Sequence, residues 1–600
     1  MEIFKAKNGV SVRGYQGDAI TLLAFDLTEK LTVNLAGFTI FYRCKQTDSV
    51  GKFLYNRLTF PPEFIAQNSI PLNDENSTLY SPIQKFNWVH VPNTDVTTRK
   101  AVFGDYEYTI TPRYIVEGKL LTLDSNFSVT IEIPVKPFSE KNASLAFTRG
   151  FVSSVAYATR FSRKNNAVRP KINDSLTFDT QQTADTAKRW NSAKRRYEQT
   201  PYTFEEQHEW LGWQVRSRIL EFLDETLNDK KISLKVFAFD LNEPEICKRL
   251  LLLAKEDRLT IILDDSKGHS ENDAWESIFE TEFLKIGKPE NITRGHFSAL
   301  AHCKIMIQMK GKVPRKVLTG SANFSTNGLY VNSNHIIIFK NAKIAKLYAD
   351  VFEESFGLIK MKTFKTSDLA AKDHEIVKTV SSPKMTLTFA PHKKEDATRI
   401  FDRISNSLEK SDTTDILFAV MNDRSAGSIL TSLRKQIDNE NVFSYGITDT
   451  IGKKDDDFSI FLYKPNSKKG IRVAARGIEN NLPEPFGTVP GIDGYAIHHK
   501  FIVVNFKGKN PVVYCGSSNL AFGPEQKNGD NLLEIYDKDI VTAFAIEALR
   551  LVDHFHWRNT SVKNTEHLYL DELHNTKKWT DSWLNVDDLK YRQQKLYIRK

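Results

Sequence analysis

Two short stretches of this chain repeat each other at the same internal spacing. His302-Cys303-Lys304 is followed by Gly320-Ser321-Ala322-Asn323, and His498-His499-Lys500 by Gly516-Ser517-Ser518-Asn519. In both copies 21 positions separate the histidine from the asparagine. A third histidine-x-lysine triplet, His392-Lys393-Lys394, has no such tetrad behind it, and the Gly-Ser-x-Asn pattern occurs nowhere else in the chain. A match held to the residue is the mark of an internal duplication, so one supersecondary unit is expected twice.

The surrounding pattern agrees. From about 203 apolar strand-like runs alternate with helical periodicity: 232–241, 258–265, 302–309, 316–320 and 335–339 read as strands, and 243–256, 274–285 and 343–356 as helices. The order returns with strands at 385–390, 415–422, 471–477, 499–506, 511–516 and 532–536 and helices at 397–410, 428–437 and 539–555. This is α/β order. Residues 1 to about 145 carry short alternating or aromatic runs at 19–25, 37–43, 106–114 and 127–135, broken by Gly, Pro and Asn, which is the pattern of a β-sandwich. The expected organisation is a β-sandwich-like accessory domain at 1–145, a helical and basic connecting arm at 146–202, a first α/β half at 203–365, a polar connector, a second half at 385–560 and a C-terminal tail at 561–600. The basic stretch at 187–200 reads as a solvated helix face or an anion-binding edge.

The repeated residues have a common chemistry. On a strand, positions i and i+2 face the same side, so His302 with Lys304 and His498 with Lys500 each project into one space. A returning strand brings a Gly-Ser-x-Asn end beside them, adding Ser321 and Asn323, or Ser517 and Asn519. Two facing copies gather two histidines, two lysines and two asparagines. The lysines and amides suit a phosphate. One imidazole can attack phosphorus while the other protonates the leaving oxygen. Such a site needs neither metal nor cofactor, and no acidic cluster with metal-ligand spacing stands out. Ser321 and Ser517 read as groups that orient their neighbours, His499 as pointing away from the site, and His335 as structural.

The paired motifs resemble the phospholipase D superfamily, whose duplicated halves share one active site. The likeness covers roughly residues 200–560. The segments 81–91 and 149–157 are in addition similar to bacterial members that carry a sandwich domain ahead of the two halves. The resemblance implies a phosphodiesterase acting through a phosphohistidine. The family's aspartate five residues after the lysine is replaced here by Met309 and Asn505, as in the tyrosyl-DNA phosphodiesterase branch. Family members often carry an acidic residue about eleven positions after the asparagine that orients the histidine. Asn334 and Asp530 stand there. Only the second copy keeps a carboxylate, so Asp530 is expected to support His498.

Composition sets limits. Of 600 residues 40% are hydrophobic and 26% charged, an ordinary globular balance that excludes wholesale disorder. No apolar run is long enough to span a bilayer, and residues 1–10 do not read as a signal peptide; the expected location is cytoplasmic. Cys44, Cys247, Cys303 and Cys515 lie far apart and read as reduced core residues. The net charge of +9 permits an anionic partner. The expected activity is a metal-independent phosphodiesterase on nucleic acid, ahead of a phospholipase D or phosphatidyltransferase and of an inactive anion-binding protein. The accessory domain is expected to select substrate or partner, and one pocket per chain needs no oligomer.

Overall fold

Each of the two repeated histidine-lysine triplets leads into a central strand of an eight-stranded sheet, and the two sheets have the same strand order. The computed structural model describes residues 1–92, 100–149, 155–161, 167–191, 194–422, 426–450, 463–475, 496–559, 569–573 and 578–599. In the first sheet Ile305–Lys310 lies between Val313–Gly320 and Ile232–Ala238, antiparallel to both. Beyond Ile232–Ala238 come Leu259–Leu263 and Ile292–Arg294, each parallel to its neighbour. Beyond Val313–Gly320 come His335–Phe339 and Ala143–Phe147, both antiparallel. The second sheet reproduces every pairing: Lys500–Val504 at the centre, Asp415–Asn422, Phe443–Thr450 and Ile471–Ala474 to one side, and Val512–Gly516, Asp530–Ile535 and Met385–Ala390 to the other.

The central strands are apolar on both faces because both faces are covered. Ile305, Ile307 and Met309 join a core shared with the helix Ala342–Ser355, and Met306 joins the core beneath Phe204–Asn228 and Pro244–Lys255. In the second half Phe501 and Val503 face the same shared core and the helix Lys538–Asn559, while Ile502 and Val504 face Lys394–Leu408 and Ser428–Asp438. One apolar core therefore runs between the halves and fixes them together.

Residues ahead of the halves form two packed antiparallel sheets. One has four strands (Glu2–Lys7, Val10–Gln16, Thr21–Leu27, Asn87–His90); the other is built on Leu35–Cys44, Gly104–Val116 and Val129–Val135. Their inner faces meet in a single cluster that includes Val12, Phe25, Phe38 and Ile131.

Three expectations about the connections change. Ala143–Phe147 straddles the expected boundary at 145 and belongs to the first half's sheet, paired with His335–Phe339. The basic stretch within the arm is no helix face: Thr183–Asn191 and Arg196–Thr203 pair as an antiparallel ribbon, because its buried residues, Ala187 and Tyr202, fall on one side of an alternating pattern. The polar connector contributes the edge strand His374–Ile376 to the second sheet. The C-terminal segment is likewise more than a tail. Its helix Leu589–Ile598 docks on the N-terminal sheet, with Lys595 Nζ 2.8 Å from Asp26 Oδ2 and the Tyr15 hydroxyl donating to the Tyr597 carbonyl.

Two glycines are required by backbone approach. Gly320 and Gly516 end their strands at φ +152° and +136°, and a Cβ there would lie 2.3 Å from the His335 carbonyl oxygen and 2.4 Å from that of Asn531. Gly516→Ala is expected to lower stability by at least about 2 kcal/mol, read as a fall in the thermal unfolding midpoint. An unchanged midpoint would show that the strand end relaxes freely.

Candidate active site

The strands Ile305–Lys310 and Lys500–Val504 begin at or just after their lysines, so each histidine sits on the segment entering the sheet. A carboxylate pins each of these segments. Asp264, just past Leu259–Leu263, accepts the Ala301 amide at 2.6 Å, and Asp449, at the matching place on Phe443–Thr450, accepts those of Ala496 and Ile497 at 2.5 and 2.8 Å. Ala301 and Ile497 directly precede the two histidines.

The halves then exchange backbone contacts. Ser333 donates to the Ala496 carbonyl at 2.7 Å and His498 to the Ser333 carbonyl at 3.1 Å; in mirror fashion Ala299 donates to Lys527 at 3.0 Å and Gly529 to Leu300 at 2.8 Å. This crossing decides which group serves which histidine. His302 Nδ1 lies 2.7 Å from Asp530 Oδ1, and His498 Nδ1 lies 2.9 Å from Asn334 Oδ1. The expectation that Asp530 supports His498 is thus corrected: it supports His302. An offset counted along one copy cannot reveal a partner delivered by the other. Asn334 was the residue that sequence reasoning passed over, although it stands at the same offset as Asp530. Its amide is oriented by donating to the Gly328 carbonyl at 2.8 Å, and its Oδ1 also accepts the Ser321 hydroxyl at 2.8 Å. Ser321 therefore holds the group that holds His498. Ser517 instead accepts the Asn531 amide at 3.0 Å.

Both histidines have Nδ1 held by a side chain of the opposite half, which fixes the orientation of each ring. Lys304 donates to the His302 carbonyl, and Lys500 Nζ lies 3.0 Å from the His498 ring nitrogens. Asn323 donates to Asp240, while the Oδ1 atoms of Asn323 and Asn519 are buried without a partner among the described residues. His499 turns to the other side of its strand, with Nε2 3.3 Å from Glu547 and its ring stacked on His335 at 5.5 Å. Met309 lies in the apolar core, and Asn505 is a turn residue at φ +57° that accepts the Thr414 amide at 2.8 Å, so neither position offers a group to the site.

Burial dominates the electrostatics. It pushes His302 down, with Lys304 adding to the effect and Asp530 opposing it. His498 is pushed well below the usual imidazole range by burial and Lys500. Burial brings Lys304 down to about 8, and burial with the Lys304 charge depresses Lys500 strongly. Crowded buried cations of this kind are relieved by an anion between them. Tungstate at a hundredfold its Kd is expected to raise the thermal midpoint by about 2 °C. The gain is expected to shrink as pH rises through about 8, where Lys304 loses its proton. A shift independent of pH would place the anion elsewhere.

At the rim, ligand atoms of Asp240, His269 and Glu276 lie within 4.8 Å of one another. The donor set does not suit a metal. His269 Nε2 is 3.0 Å from Asp240 Oδ1 and Nδ1 is 2.8 Å from Asp264 Oδ2, so both ring nitrogens act as donors. Side-chain bonds to the two aspartates outweigh burial and raise His269 to about 10. The imidazolium ties Asp264, which pins the His302 segment, to Asp240, which holds Asn323. Cys44, Cys247, Cys303 and Cys515 are all buried and unpaired.

Comparison with known proteins adds the following. Residues 220–356 match the family model described as cardiolipin synthase, PLD-like domain. No curated protein matches the chain. Among solved structures it is similar to polyphosphate kinase from Porphyromonas gingivalis, at 12% identity and TM-score 0.38, over 63% of this chain and 53% of the kinase. It is also similar to Nuc, a phospholipase D family member from Salmonella typhimurium, at 22% identity and TM-score 0.18, over 23% of this chain and 84% of that one. A third is phosphatidylserine synthase from Haemophilus influenzae Rd KW20, at 12% identity and TM-score 0.39, over 57% and 85%. The chain spans about half the length of the polyphosphate kinase.

Proposed function

We propose that this chain, whose residues 220–356 match the PLD-like domain, is a metal-independent phosphodiesterase of the phospholipase D superfamily working through a phosphohistidine. The observation that carries the reading is the crossed support: two buried histidines have their Nδ1 atoms fixed by the opposite half, and Lys304 and Lys500 lie close enough to act on both rings. In this reading His302 is the nucleophile. Attack through Nε2 makes its ring cationic, and the Asp530 carboxylate on Nδ1 stabilises that charge. His498, backed by a neutral amide, is the acid. The diester's negative charge, entering between the lysines, opposes the burial that holds His498 neutral.

The P–N bond to His302 forms as the P–O bond to the leaving group breaks, and the His498 proton goes to the departing oxygen. Water then gives a proton to His498 and attacks phosphorus, and the P–N bond breaks. Lys304, Lys500, Asn323 and Asn519 bind the non-bridging oxygens. Nucleic acid is favoured over phospholipid as substrate because a strongly basic segment precedes the first half. Among the described residues no helix is long and apolar enough to cross a membrane.

The test is hydrolysis of bis(p-nitrophenyl) phosphate in excess EDTA, with single-stranded DNA and mixed phospholipid vesicles in parallel. Release of p-nitrophenolate that is lost in His302→Ala is expected. Tungstate binding with no turnover of any substrate would leave an anion-binding protein and overturn the enzymatic reading.

A further inference from the structure

The paired strands Thr183–Asn191 and Arg196–Thr203 are tied to the helix Phe204–Asn228 by Arg189, which lies 3.2 Å from Glu206, and are buried at their base. Ala187 and Tyr202 are 2% and 1% exposed there, and Tyr202 belongs to the same buried cluster as Tyr157 and Phe161. Three positions beyond Ala187 the ribbon stands in solvent. Trp190 is 55% exposed and Tyr197 60%. They are direct cross-strand partners with ring centroids 5.2 Å apart. The same face carries Lys188, whose Nζ is 5.4 Å from the centre of the Tyr197 ring.

The charge is concentrated in the same place. Residues 188–198 hold five cations and one carboxylate, Glu198, in a chain whose total excess is +9. Glu198 is shared between Lys194 at 3.1 Å and Arg196 at 2.7 Å. A cross-strand aromatic pair can stiffen a ribbon, but stiffening alone does not call for a halo of cations around it.

We propose that this ribbon binds single-stranded nucleic acid, with unpaired bases stacking on Trp190 and Tyr197 and the backbone phosphates on Lys188, Lys194 and Arg195. It deepens the phosphodiesterase reading by naming the substrate class, and rests on that reading for its purpose though not for the binding itself. Stacking is tolerant of sequence because every base has a π-face, and the surrounding cations supply attraction to the backbone. A membrane surface is the other partner for exposed aromatics among cations. The sequence between the strands, Ser192-Ala193-Lys194-Arg195, disfavours it, since an inserting tip would be apolar.

The experiment is fluorescence anisotropy of a labelled dT20 oligonucleotide with the full chain in EDTA, at several salt concentrations. Vesicles containing phosphatidylglycerol are tested by co-sedimentation. The full chain is expected to bind the oligonucleotide, and Trp190→Ala to weaken it about tenfold. Lys188→Gln/Lys194→Gln/Arg195→Gln, which leaves the aromatic pair in place, is expected to reduce the slope of log K against log salt by about 2. This charge variant decides the matter should Trp190→Ala melt the ribbon. Oligonucleotide binding that neither variant changes overturns the proposal, and so does binding to vesicles alone. An oligonucleotide held through the ribbon but never cleaved supports the ribbon and counts against the nuclease reading. Cleavage with ribbon variants as tight and as fast as the parent does the reverse.

Discussion

His302→Ala is expected to lower phosphodiester turnover by on the order of 10⁵–10⁶-fold and to leave no phosphorylated protein, because it removes the atom that bonds to phosphorus. His498→Ala is expected to behave differently. Loss of an acid and base costs about 10²–10⁴-fold, and the cost falls unevenly on the two steps. With p-nitrophenol, which departs without needing a proton, phosphorylation survives while water activation does not. His498→Ala should therefore accumulate phosphoprotein that withstands an alkaline quench and is lost in acid. The measurement is a quenched time course with labelled bis(p-nitrophenyl) phosphate on both variants, each checked for an unchanged thermal midpoint. Accumulation in His302→Ala in place of His498→Ala would reverse the roles, and accumulation in neither would remove the covalent intermediate.

The difference between the histidines comes from the fold, and it marks how far the sequence could be read. The HxK strands were legible because they are buried on both faces, which forces apolar runs such as Ile305–Ile307 and Phe501–Val504. The motif glycines were legible because backbone oxygens at 2.3 and 2.4 Å leave no room for a Cβ. The strand Phe443–Thr450 escaped notice. Its central residue, Gly446, lies against the Phe418 ring, so the packing there is supplied by a neighbour and no apolar run appears. The ribbon was hidden for a related reason, since only its base is buried and the remainder reads as a charged solvated segment. The partners of the histidines were hidden by topology. Ser333 and Gly529 pair with residues far away in the chain, and so exchange Asn334 and Asp530 between the copies.

That exchange leads to the second large effect. Asp530→Asn is expected to cost about 10²–10⁴-fold in turnover, the range seen when a carboxylate behind a reacting imidazole is removed. Asp530 lies in the second half, yet the loss should fall on phosphorylation of His302. The pH dependence gives the sign. Asp530 raises His302 against burial and Lys304, so without the carboxylate the histidine loses its proton at lower pH. The acid limb of the rate profile, which reports formation of the neutral nucleophile, should move to lower pH as the rate falls. Asn334→Asp should act on the other histidine, favouring protonated His498 and carrying the basic limb upward. Rates of phosphoprotein formation measured across pH for both variants test the pairing. If Asp530→Asn moved the basic limb, or left formation intact and slowed only hydrolysis, Asp530 would be serving His498, and the crossing of the two halves could not be what makes their histidines unequal.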